Sequence, residues 1–98
     1  MGRTQAIKKR IAITSITIPD GTKAKVNTTT VVPVTINPIG GNDTIIIAEL
    51  NISYMDSVQY SPEKRELTLV ANSVGTSQIR FSWNSGQEYK DFFIPVEN

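Results

Sequence analysis

The side chains that most often do chemistry near neutral pH are missing from this sequence: it has no Cys and no His. Without Cys there is no thiolate nucleophile, no disulfide and no Cys-ligated zinc. Without His the commonest metal ligand and the usual general base are gone. Carboxylates remain. Asp20, Asp43 and Asp56 fall in or near turn sequences, and carboxylates at loop ends can bind Ca²⁺. The chain has no EF-hand spacing and no Asp-rich loop, so local turn chemistry accounts for these acids better. A carboxylate pair for glycoside hydrolysis needs a cleft, which a domain of 98 residues is not expected to have. No phosphate loop, nucleophile elbow or dinucleotide fingerprint is present. The expectation is a protein that is not an enzyme, with no catalytic residue, no cofactor and no metal.

The residues that suit binding are of other kinds. Arg3, Lys8, Lys9 and Arg10 give the first ten residues a charge of +4 with no acid among them. Residues 11–98 hold six bases and nine acids, a net −3, so a basic arm joins a mildly acidic body. Such an arm suits an acidic protein surface. Nucleic acid is a weaker reading, because the body is acidic and its aromatics are not interleaved with bases. Ile45, Ile46 and Ile47 are consecutive. A strand with one buried face cannot bury all three, so at least one points outward, to a partner or to solvent. Phe92 and Phe93 pose the same question. Asn27-Thr28-Thr29, Asn42-Asp43-Thr44 and Asn51-Ile52-Ser53 match the N-glycosylation pattern, as chance allows in a Thr- and Ser-rich chain.

Length sets one domain. Thirteen Ile and eight Val stand against three Leu, with eleven Thr and eight Ser. β-Branched side chains fit a pleated surface and lose rotamer freedom in a helix. No stretch keeps helical spacing over three turns, whereas strand signals recur about every ten residues. The expected strands, about seven, lie in 11–18, 24–36, 44–50, 58–60, 66–70, 77–83 and 89–96. Ile13 and Ile16 share a face only if the chain kinks near Thr14-Ser15. Pro33 and Pro95 suggest breaks or edges, and Asn84-Ser85-Gly86-Gln87 reads as a hairpin turn. No apolar run approaches a bilayer span. The basic start is followed by an alternating segment rather than a continuous apolar core, so no secretion signal is expected. The expected architecture is an all-β, immunoglobulin-like sandwich over 11–98 with a basic arm over 1–10.

Ala71-Asn72-Ser73-Val74-Gly75-Thr76-Ser77-Gln78-Ile79-Arg80-Phe81 resembles the most recognisable stretch of the group 2 bacterial immunoglobulin-like domains. That stretch has an Ala, three variable residues, Gly followed by Thr or Ser, then an alternating strand. Ile13-Thr14-Ser15-Ile16-Thr17-Ile18 and Val32-Pro33-Val34-Thr35-Ile36-Asn37-Pro38 are similar to the family's first two strands. The family often has a Trp in its third strand, where this chain has Ile45 to Leu50; Trp83 lies later. The resemblance implies one of two settings: bacterial surface proteins with tandem domains, or tailed-phage virions. A single domain without a signal peptide fits the virion. The expectation is a structural, capsid-decorating subunit on the virion surface. Its partners would be capsid or other virion proteins, reached through Arg3, Lys8, Lys9, Arg10, Ile45, Ile46 and Ile47, with self-association open and no membrane. The alternative is a bacterial cell-surface adhesion or carbohydrate-binding module that uses Tyr54, Tyr60 or Tyr89 to stack sugars.

Overall fold

The computed structural model describes residues 9–50 and 53–98. Within them the chain is all β, with nine strand segments and no helix. They are β1 (Ser15–Thr17), β2 (Ala24–Lys25), β3 (Thr29–Pro33), β4 (Thr35–Asn37), β5 (Ile46–Leu50), β6 (Met55–Ser61), β7 (Glu66–Ala71), β8 (Gly75–Trp83) and β9 (Glu88–Glu97). Each of the seven stretches read as strand carries strand. The difference lies in 24–36, which is divided into β2, β3 and β4 because its parts pair with three different partners.

One sheet has the order β2-β9-β8-β5, a second the order β3-β7-β6, and β1 pairs with β4. All pairings are antiparallel except β2 with β9, which is parallel. The chain changes sheets at Asn27. Val26 N–H donates to Glu97 O at 2.9 Å, and Asn27 N–H donates to Ala71 O at 3.0 Å. Asn27 takes a left-handed φ of 63°, which Asn tolerates better than most residues. Pro33 is exposed at the end of β3. Pro95 precedes the point where β2 begins to pair with β9, at Val96.

The core is the inner face of both larger sheets. Alternation along β8 and β9 buries Ser77, Ile79, Phe81, Trp83, Phe92, Ile94 and Val96. They meet Val32, Met55, Leu67, Leu69 and Ala71 from the facing sheet. The arrangement is sandwich-like. Phe81 sits centrally, edge-on to Tyr60 at 5.8 Å and to Phe92 at 5.3 Å between ring centroids. Fully buried side chains such as Phe81, Leu67, Ile79 and Ile94 each stabilise the fold by roughly 1.5–3 kcal/mol. Ile13 and Ile16 are both buried, so the chain does change face between them. Ile13 O accepts a hydrogen bond from the Trp83 indole N–H at 3.0 Å. That bond ties the start of the body to the last residue of β8. The turn 84–87 follows, with positive φ at Asn84, Ser85 and Gly86.

Candidate functional site

Two surfaces hold the residues that sequence marked for binding. The first is the end of the body where the arm joins. Lys9 is exposed, and its carbonyl accepts from Asn42 Nδ2 at 2.9 Å. Arg10 donates from Nε and Nη2 to the two carboxylate oxygens of Asp43, and from Nη2 to Asn84 Oδ1 at 3.1 Å. Asp43 Oδ2 also accepts from Ile13 N–H at 3.0 Å, and Asn42 Oδ1 from Ile11 N–H at 2.7 Å. The loop 42–43 thus grips the chain from Lys9 to Ile13. The Arg10 guanidinium and, after it, the Ile13 N–H hold the Asp43 carboxyl below its ordinary range. Asp43 in turn raises the Arg10 guanidinium. Arg10 is therefore engaged by the body. Arg3 and Lys8 lie outside the described residues.

The second surface is the outer face of the sheet β2-β9-β8-β5. The inward residues of β5, Ile47 and Glu49, lie opposite Phe81 and Ile79. Ile45 and Ile47 are partly buried against the core, whereas Ile46 is 60% exposed. Of the three consecutive Ile, Ile46 alone points clearly outward. Register then sets three rows across the outer face. They are Ile46–Ser82–Tyr89, Ala48–Arg80–Asp91 and Leu50–Gln78–Phe93. Tyr89 is 57% and Phe93 63% exposed. Arg80 is the hub of this face. Its Nε and Nη2 donate to the two oxygens of Asp91 at 2.7 and 3.0 Å, and its guanidinium lies 4.0 Å from the Tyr89 ring centroid. Gln78 Nε2 donates to the same carboxylate at 3.0 Å. The hydrogen bonds from Arg80, and then from Gln78, lower the Asp91 carboxyl against the opposing effect of burial.

The tyrosines do not share a surface. Tyr54 and Tyr60 pack against the core, and Tyr89 is exposed. Tyr60 lines an open cleft with Asp43, Glu63 and Arg65, and the Asp43 carboxylate there is already taken by Arg10 and Ile13. Asp56 accepts from Asn72 Nδ2 at 3.0 Å, and Asp20 is exposed in the turn after Pro19. Among the described residues no three of His, Cys, Asp or Glu are grouped to hold a metal, and no helix is long and apolar enough to cross a membrane.

Alternation along 77–83 and 89–96 puts Arg80 and Phe93 on the outer face. Sequence reasoning missed Tyr89, Asp91 and Leu50 as their neighbours, because cross-strand register decides that. Comparison with known protein families and with curated proteins finds no match for this chain.

Proposed function

We propose that this chain is a non-enzymatic structural protein of a phage virion, a decoration subunit of the capsid with an immunoglobulin-like sandwich, and that it docks through its basic arm. Strand order supports the fold reading. Taking β3 and β4 as one interrupted strand gives a four-member layer, β1, β3/β4, β7, β6, facing β9-β8-β5 with β2 added at its edge, close to the four-and-three division of immunoglobulin sandwiches.

The observation that carries the docking reading is the anchorage of Arg10 on Asp43 and Asn84. It fixes the point from which the bases Arg3, Lys8 and Lys9 begin. A charged arm rooted on a rigid body loses less orientational freedom on docking than one on a slack linker. Its partner is an acidic protein surface, since the acidic body weighs against nucleic acid. Many copies on a lattice would make weak single contacts sufficient.

Deleting residues 1–8 tests the reading. The expected result is loss of association with particles and an unchanged melting transition. A truncated chain that still sediments with particles overturns it. Exposed Tyr89 favours a second reading, a carbohydrate-binding surface module. It requires glycan binding by the isolated domain that Tyr89→Ala removes.

A further inference from the structure

We propose that an extended peptide segment of a partner protein, carrying a carboxylate, adds to the free edge of β9 as a further strand.

β9 is ten residues long and pairs with β8 from Glu88 to Val96. On its other side β2 covers only Val96 and Glu97. Val26 N–H donates to Glu97 O there, so Glu97 turns its backbone groups toward β2. The direction of these groups alternates along a strand, and the register with β8 runs without a shift. The N–H and C=O of Tyr89, Asp91 and Phe93 therefore point to the same side as those of Glu97. Among the described residues no backbone partner meets them. Pro95, next in this series, has no N–H to leave open. A row of free donors and acceptors of this kind is a template for another strand.

The sandwich is open beside this edge. β1 pairs with β4 and not with β9. A groove of about 710 Å³ is lined by Thr17, Ile18 and Pro19 on one side and by Lys90, Phe92 and Phe93 on the other. Lys90 marks the opening. It falls in the inward row, opposite the buried Phe81, and is nevertheless exposed.

Backbone chemistry and charge together select the occupant. Free amide groups at the strand repeat match an extended main chain. Lys90 has no carboxylate within ion-pair distance among the described residues, and its ammonium lies 5.8 Å from the Phe92 ring centroid. Lys23, also in the groove, is met by Glu97 at 3.2 Å, and Asp20 belongs to the turn of the far wall. An added strand puts every second side chain in the inward row. A carboxylate beside Lys90 supplies the missing counter-charge, and an apolar residue two positions away packs on Phe92. A second copy fits less well. Its β9, paired antiparallel about the middle of this edge, sets Asp91 against Asp91 or Lys90 against Lys90, and like charges directly opposite destabilise. Its arm brings bases to Lys90.

The test uses the full chain, isotope-labelled for NMR, and a blocked peptide, Thr-Val-Thr-Glu-Thr-Val-Thr, whose alternate residues are Val, Glu and Val. The expected result is saturable binding with a Kd of about 1 mM or tighter. The amides of Tyr89, Asp91 and Phe93 should shift most, and their exchange with solvent should slow. The peptide methylated on every backbone nitrogen should not bind. Lys in place of the peptide's Glu should weaken binding at least about threefold, and Lys90→Glu should reverse that preference. The Lys90 side chain is exposed, so the variant should melt near the parent. No binding at about 5 mM peptide overturns the proposal. So do shifts centred on β5 or β6, equal binding by the methylated peptide, or equal binding by the Glu and Lys peptides. Slow exchange at the three amides that deepens with chain concentration and no peptide present also overturns it, because a second copy would then be the occupant. No particle enters this readout, so its failure leaves docking through the arm untouched.

Discussion

Arg10 holds Asp43, thirty-three residues along the chain, through a two-nitrogen fork onto both carboxylate oxygens. The same carboxylate accepts the Ile13 N–H, and the same guanidinium reaches Asn84. Three segments distant in sequence are thereby joined at one end of the body. Within 1–10, bonds to the body are made by Lys9 and Arg10, and these mark a boundary between residues 8 and 9.

Deletions on either side of that boundary should therefore differ. Removing residues 1–8 leaves the fork intact and should leave the melting temperature unchanged. Removing 1–10, or making Arg10→Ala, leaves the Asp43 carboxylate with only the Ile13 N–H and should lower the melting temperature by a few degrees. Thermal unfolding followed by circular dichroism separates the two. Equal melting temperatures for both deletions would mean that the fork contributes nothing to stability, as many exposed ion pairs do not.

Acid should weaken the fold through two carboxylates. Asp43 and Asp91 are both lowered, each chiefly by its hydrogen-bonded arginine. A group whose folded-state value lies below its unfolded value stabilises fully above the unfolded value, about 4 for a carboxylate. That contribution is lost as pH falls through the depressed folded value. The melting temperature should accordingly be flat down to about pH 5 and fall below about pH 4. Asp91→Asn should start lower at pH 7 and fall less steeply in acid, so that the two curves converge. Parallel curves would assign the acid loss to other groups.

The strands were legible wherever local alternation decides them. Ile79, Phe81 and Trp83, and then Phe92, Ile94 and Val96, alternate in sequence and are buried in the structure. What was not legible depends on distant pairing. The stretch 24–36 breaks in three because its parts meet Val96, Val70 and Thr17 in turn, and nothing local announces those partners. The row Ile46–Ser82–Tyr89 likewise exists only once β5, β8 and β9 are in register. The need for glycine at position 75 is also set by a residue distant in the sheet pairing.

Gly75 lies beneath the ring of Tyr54. A Cβ built on Gly75 would run into Tyr54 Cε1. Tyr54 is fixed in turn, since its N–H donates to Glu49 Oε2 at 3.0 Å, and Glu49 also accepts the buried Ser77 hydroxyl. Gly75→Ala must push the ring off the core and should cost about 1–3 kcal/mol, as overpacking does. The double variant Gly75→Ala with Tyr54→Ala should cost less than the sum of the two single changes. Additive costs, measured by denaturant unfolding, would show that backbone conformation rather than the ring sets the requirement.

The Tyr60 hydroxyl is closed off from solvent and has no hydrogen-bond partner among the described residues. Burial raises its ionisation above the ordinary phenol range, with the Arg65 charge opposing. A buried hydroxyl without a partner costs free energy, while the ring beneath it packs edge-on against Phe81. Tyr60→Phe removes the hydroxyl and keeps the ring. It should stabilise the fold by about 0.5–1 kcal/mol, which for a domain of this size is a rise of roughly 2–8 °C in melting temperature. Tyr60→Leu, which gives up the ring contact as well, should instead destabilise. A lower melting temperature for Tyr60→Phe would mean that the hydroxyl is bonded in solution.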